Sequence, residues 1–191
     1  MNDHRDNEWK CIDYLINGTS TQKLAYEILK STKILEHLAP YQPILIGTIP
    51  IDIDILGSDI DIACEVYDPG QFKIDLISLF PDIEIIQRNS VVIGRTKIKN
   101  VDIEFYGENS PVTEQSGYIH MLVEARLLKL GNETFRKTIR DLKKSGLKTE
   151  PAFAKVLSIS GNPYQKLLEL YQWNEQELLQ FFQLRELCKS T

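Results

Sequence analysis

Two aspartates with one isoleucine between them, in Asp59-Ile60-Asp61-Ile62, are the residues here whose type and spacing point most directly to chemistry. Side chains alternate across a β-strand, so a D-x-D pair in a β-branched run projects to one side. That side cannot be core, because two unpaired buried carboxylates are too costly to desolvate. Ile60 and Ile62 are therefore expected to face inward, with Asp59 and Asp61 close together on the other face. Like charges held that close favour a cation between them, and hard oxygen ligands suit Mg²⁺ or Mn²⁺.

Upstream, the apolar run Ile44-Leu45-Ile46 stops abruptly at Gly47-Thr48, and ten residues pass before Asp59. A glycine lets backbone approach a phosphate closely, and the Thr48 and Ser58 hydroxyls with nearby N–H groups can donate to it. A third carboxylate should complete the set. The run Val101-Asp102-Ile103-Glu104-Phe105 supplies two candidates on one strand face, Asp102 and Glu104. If that strand lies beside the Asp59 strand, three or four carboxylates converge. Divalent ions held there would bridge phosphate oxygens and stabilise an in-line displacement.

The elements that must position these residues follow from periodicity. Trp9 to Ile16 reads as a helix stopped by Asn17-Gly18, and Leu24 to Leu38 carries the apolar stripe of a second, capped by Thr19, Ser20 or Thr21 and ended by Pro40. Core strands are expected at 44–47 and 59–67, with the segment between them a loop or short edge strand over the site. Asp68-Pro69 starts a helix that runs to Pro81. Three β-rich runs follow, at 83–87, 91–98 and 101–106, the last two joined tightly at Lys99-Asn100. After Pro111 the pattern turns helical: 118–130, 135–144, 152–157, 164–173 and 175–188. Candidate caps are Asn132, Thr149, Asn162 and Asn174, the last with Glu177 in a capping box. The expected architecture is α+β: a mixed sheet with flanking helices over residues 1–110, and a C-terminal helical lobe over 111–191.

These residues resemble the nucleotidyltransferase superfamily that includes DNA polymerase β. Its pattern is an apolar residue, Gly, Gly or Ser, a gap of roughly ten residues, a D-x-D/E pair, and an acid on a later strand. Thr48 stands at the position usually held by Gly or Ser and keeps the hydroxyl. The longer text is similar to a family of small bacterial proteins labelled DUF4269. That likeness rests on 47–51, 57–62, 103–107, 118–121 and 146–153, and it favours Glu104 over Asp102 as the third acid. The superfamily implies metal binding by Asp59, Asp61 and the third acid, and phosphate binding by Gly47, Thr48 and Ser58. It also implies transfer of a nucleotide from a triphosphate to a hydroxyl, amine or phosphate. Phosphoryl transfer or hydrolysis on a small acceptor would use the same site, and a non-catalytic nucleotide-binding or antitoxin-like partner protein would share the fold.

Composition narrows the class. The hydrophobic share of 42% and charged share of 26% over 191 residues are ordinary for a globular protein. A net charge of -5 argues against a general nucleic-acid binder. The three cysteines form no CxxC pair, and no apolar leader or membrane-length run exists, so a reducing cytoplasm is the expected compartment. The motifs GxxxxGK[ST], GxGxxG, HExxH and GxSxG are missing. Arg95, Lys97 and Lys99 alternate along one strand and would share a face, lining a triphosphate path or meeting solvent. His120 sits one turn before Glu124 and reads as its i,i+4 partner or a satisfied core histidine, with a catalytic role as the alternative. Lys148 precedes a helix start, as a surface residue or a reach toward phosphate. Phe181, Phe182 and Leu184 are core or the seam of a homodimer.

Overall fold

A computed structural model describes residues 9–185. Contacts divide it into two compact units. The first holds the described residues up to Asp52 together with Leu56–Tyr118. The second holds Ile53–Ile55 and the described residues from Ile119 onward.

The first unit is built on a five-stranded mixed sheet. After a 3-10 turn at Asp13–Asn17, α1 covers Ser20–Thr32. Thr19 caps it with a full capping box: its side chain accepts from Gln22 N, and the Gln22 side chain accepts from Thr19 N. α2 is a single turn, Ile34–His37. The strands are β1 (Ile44–Ile46), β2 (Ile60–Glu65), β3 (Glu84–Arg88), β4 (Val91–Ile98) and β5 (Val101–Glu108), with α3 (Pro69–Leu79) between β2 and β3. Asp68 caps α3 by accepting from Gly70 N and Gln71 N.

The spatial order is β1-β2-β5-β4-β3. β2 and β5 run parallel, and every other pair is antiparallel. Lys99 and Asn100, both at positive φ, close the β4–β5 hairpin. Two consecutive left-handed residues match the twist of a two-residue hairpin. One set of alternating side chains, Ile60, Ile62, Cys64, Ile103 and Phe105, is buried with Ala25, Ile28 and Leu29 of α1 and Phe72 and Leu76 of α3. The opposite set faces away from this core and carries the charged residues of β2, β5 and β4.

The second unit contains most of α4 (Ser116–Leu130), then α5 (Glu133–Lys144), α6 (Thr149–Val156), α7 (Pro163–Tyr171) and α8 (Glu175–Gln183). Asn132 and Asn162 cap α5 and α7, and Asn174 with Glu177 forms the capping box of α8. Phe135 packs edge-on against Phe153 and Phe182, with centroids 5.8 and 5.1 Å apart. No helix among the described residues is long and apolar enough to cross a membrane.

Several expected boundaries shift. The helix expected over Trp9 to Ile16 is replaced by the short 3-10 turn at Asp13–Asn17. The long second helix breaks at Lys33, whose φ of 53° cannot continue an α-helix. β2 begins at Ile60, not Asp59: β1 ends at Ile46 opposite Asp61, and the chain turns away at Gly47, which leaves β1 no backbone opposite Asp59. Thr149 is the first residue of α6, and Lys148 stands at the cap position without a side-chain hydrogen bond. α8 ends at Gln183, and Cys188 lies outside the described residues.

Candidate active site

The sheet's pairing sets the candidate residues in one row. β1–β2 pairing puts Ile46 opposite Asp61, and β2–β5 pairing puts Asp61 opposite Glu104. β4 then puts Arg95 opposite Glu104, and β3 puts Glu84 opposite Arg95. Neighbouring strands are ~4.8 Å apart, so Asp61 and Glu104 are one strand spacing from each other on the same face. Ile60 and Ile62 are fully buried on the other face, as alternation requires.

Gly47 closes β1 with a φ of 83°, in the left-handed region. A Cβ at this position would overlap the Asp61 carboxylate, with Oδ2 nearest. The missing side chain therefore leaves open the space beside that oxygen.

The segment that follows is a loop, held at two levels. Ile49, Ile51 and Ile53 are buried. Gln22 of α1 is buried as well, and its Nε2 donates to Ile49 O at 2.9 Å and Pro50 O at 3.2 Å. The same amide's Oε1 accepts from Thr19 N at 3.0 Å. The capping box therefore serves two ends: it starts α1 and fixes the backbone just after Gly47-Thr48. The Thr-x-x-Gln spacing marks the cap in the sequence; the reach of Gln22 to the loop leaves no local trace.

The two candidates for third acid are placed differently. Glu104 is directly opposite Asp61, its side chain 25% exposed, and its Oε2 accepts from Arg95 Nε at 2.8 Å. Asp102 is 61% exposed and pairs with Lys97 Nζ at 3.1 Å. Asp59 is exposed in the extended segment before β2. Arg95 is held above its ordinary value chiefly by the Glu104 hydrogen bond and charge, with Glu84 and Asp59 adding to the effect. Thr48 and Ser58, half-buried, stand at the two ends of the loop.

A divalent cation fits this donor set in kind. The oxygens are hard carboxylates, and Gly47 leaves room beside Asp61 Oδ2. The set is not drawn together: among the described residues, no three Asp, Glu, His or Cys side chains group closely enough to hold a metal. Arg95 engages Glu104 and Lys97 engages Asp102.

Three other residues singled out by the sequence belong to the second unit. His120 is buried in the second unit, where Nδ1 faces Glu150 Oε1 at 3.5 Å and Nε2 meets Tyr164 O at 3.0 Å. His120 thus meets Glu150 and Tyr164 rather than Glu124 one turn on. Glu124 is itself fully buried, and burial pushes its carboxyl well above the usual range. Lys148 is exposed. Lys143, which the sequence did not mark, is buried and donates from Nζ to Ile53 O at 2.8 Å.

The chain has an α+β, nucleotidyltransferase-like fold, as its likeness to solved structures shows. The chain belongs to the DUF4269 family, a domain of unknown function, whose family model matches residues 27–170. It is similar to Cid1, described for RNA terminal uridylyl transferase activity, at 12% identity and a TM-score of 0.56, over 76% of this chain and 50% of that one. The GLD-2/RNP-8 complex contains a similar chain, at 12% identity and a TM-score of 0.53, over 89% of this chain and 76% of that one. A cytoplasmic RNA terminal U-transferase aligns at 15% identity and a TM-score of 0.51, over 78% and 46%. The chain spans about half the length of the uridylyl transferase chains it resembles. No curated protein sequence matches it.

Proposed function

We propose that this protein is a Mg²⁺- or Mn²⁺-dependent nucleotidyltransferase that moves a nucleotide from a triphosphate to an acceptor hydroxyl, amine or phosphate. The observation that carries the reading is the alignment of Asp61 with Glu104 across two parallel strands, beside the backbone that Gly47 leaves bare. Cid1 has been described with Mg and 3'-dATP bound on a related fold, which supports the choice of ligand class.

In this reading Asp59, Asp61 and Glu104 hold the cation. Glu104 takes precedence over Asp102 because it faces Asp61 directly and is the less exposed of the two. A bound divalent cation supplies charge neutralisation for the phosphates. Gly47 and Thr48 offer backbone N–H and hydroxyl donors to the terminal phosphates, and Ser58 adds a second hydroxyl from the far end of the loop. Gln22 keeps the donors in place by fixing the Ile49 and Pro50 carbonyls. Glu104 accepts the proton of the attacking group once it is free of Arg95.

The experiment is incubation with each nucleoside triphosphate and Mn²⁺, with pyrophosphate release and acceptor labelling as readouts. Pyrophosphate formation that depends on Asp61 and Glu104 supports transfer. Phosphate release without pyrophosphate points to hydrolysis or phosphoryl transfer at the same residues. A second reading, a non-catalytic nucleotide-binding or antitoxin-like partner protein, is favoured by the closed Arg95–Glu104 pair. It predicts saturable triphosphate or partner binding with no turnover.

A further inference from the structure

We propose that the cavity at the end of β1 and β2 remote from Gly47 binds a small zwitterion of the amino-acid type. Its ammonium meets Glu65, its carboxylate meets Lys10, and its apolar stem lies between them. The inference concerns a second site and does not rest on the functional reading above.

The cavity has a volume of about 420 Å³, within the range of small-molecule sites. It lies wholly within the first unit. Pro43, Ile44 and Val112 give it an apolar wall, and Lys10, Glu65 and Thr113 give it polar groups. Asp61 and Glu65 alternate to the same face of β2, four residues apart, which is ~13 Å along a strand. The cavity is therefore separate from the row that holds Asp61.

The charges select the ligand. Glu65 stands in register with Glu108 on the neighbouring parallel strand, so two carboxylates are one strand spacing apart. Like charges that close repel, and a cation beside them is favoured. The Tyr67 hydroxyl hydrogen-bonds to Glu65, which orients that carboxylate without neutralising it. Lys10 lines the same cavity, yet among the described residues it forms no ion pair with Glu65. A ligand with one charge of each sign and an apolar stem answers all three parts of the lining. A plain cation would leave Lys10 without a partner, and a plain anion would face two carboxylates.

The walls are braced from behind. Gln115 is buried, and its Nε2 donates to Cys64 O at 3.0 Å and Ser110 O at 3.1 Å. These residues directly precede Glu65 and Pro111, so one side chain ties the two sides of the cavity together. A site fixed in advance loses less freedom when the ligand enters.

Saturation-transfer difference NMR of the full chain with each free amino acid tests the proposal, with L-leucine as the reference probe. The expected result is saturable binding of at least one apolar amino acid, with a dissociation constant of about 1 mM or tighter. Its decarboxylated amine and its deaminated acid (isopentylamine and 4-methylpentanoate for L-leucine) should each bind about tenfold weaker. Glu65→Gln and Lys10→Ala should weaken the zwitterion by about the same factor. Both side chains reach solvent, and parental urea midpoints would show that the variants fold. Asp61→Asn should bind the amino acid as the parent does.

No saturable binding in that range overturns the proposal. So does an amine or acid analogue that binds as tightly as the zwitterion, or parental binding in Glu65→Gln. Loss of binding in Asp61→Asn would place the ligand at the other end of the strands and also overturn it. Nucleotidyl transfer is decided separately, by pyrophosphate release, and stands or falls on its own.

Discussion

Gly47 faces the Asp61 carboxylate with no side chain between them. Its φ of 83° adds a second requirement, because a left-handed residue with a Cβ is strained. Gly47→Ala should therefore cost roughly 1–2 kcal/mol from the backbone alone. The new methyl should also push Asp61 aside and abolish Mn²⁺ binding. Urea unfolding gives the first quantity and metal titration the second. Near-parental values for both would remove the steric argument for this glycine.

Asp61→Asn tests the centre of the row. A ligand at 100 times its dissociation constant stabilises the folded state by ~2.7 kcal/mol, worth roughly 5–10 °C for a chain of this size. The parent with Mg²⁺ and ATP at such concentrations should show a shift of that order. Asp61→Asn should keep its ligand-free melting temperature within a few degrees and lose the shift. A shift of parental size in the variant would count against the carboxylate site.

Gln22→Leu keeps the apolar stem of a buried side chain and deletes three hydrogen bonds. The Ile49 carbonyl keeps the Asp52 N–H, whereas the Pro50 carbonyl loses the Gln22 donor, and a buried orphan of that kind costs ~1–3 kcal/mol. The denaturation midpoint should fall accordingly. Because the loop after Gly47-Thr48 loses its tether, tripolyphosphate binding should weaken more than Mn²⁺ binding does. Equal losses for both ligands would mean that Gln22 acts on stability alone.

Glu124 gives a pH signature. Burial raises its carboxyl well above the ordinary 4.5, Glu150 adds to the rise, and Lys143 opposes it. Its Oε1 has no hydrogen-bond partner. Below pH 4.5 the group is protonated in both folded and unfolded chains, and its favourable contribution is fully present. As pH rises from there toward the folded value, only the unfolded chain gives up the proton. Stability is then lost at about 1.4 kcal/mol per pH unit for one group. Glu124→Gln should flatten that slope and be more stable than the parent at neutral pH. Urea midpoints measured from pH 4 to pH 8 read it directly; parallel curves for parent and variant would assign the slope to another group.

Much of the first unit was written in local pattern. The alternation around Asp61, the Asp68-Pro69 start of α3, and the Lys99-Asn100 hairpin each state their structure within a few residues. Register was not so written. Asp102 and Glu104 share a strand face, and only the pairing of β5 with β2 and β4 distinguishes them. The break at Lys33 also left no trace, since lysine carries no preference for positive φ. The partners of His120, Glu150 and Tyr164, come from α6 and α7, so of its two bland readings the satisfied core histidine fits and the i,i+4 pair with Glu124 does not. Apart from the local break at Lys33, what sequence spacing missed was contact between residues far apart in the chain.

The hairpin of β4 and β5 also bears on how the protein folds. Its two strands are joined by two residues, so its loop closes at little entropic cost, whereas β2 must cross α3 and the hairpin's own length to reach β5. The expected order is hairpin first, with Arg95 and Glu104 already neighbours, and docking of β2 later. Asp61 then approaches a strand whose own carboxylate is already neutralised, which lowers the repulsion at a slow step. Substitutions at Arg95 should accordingly change the folding rate, and stopped-flow refolding of Arg95→Gln would measure it.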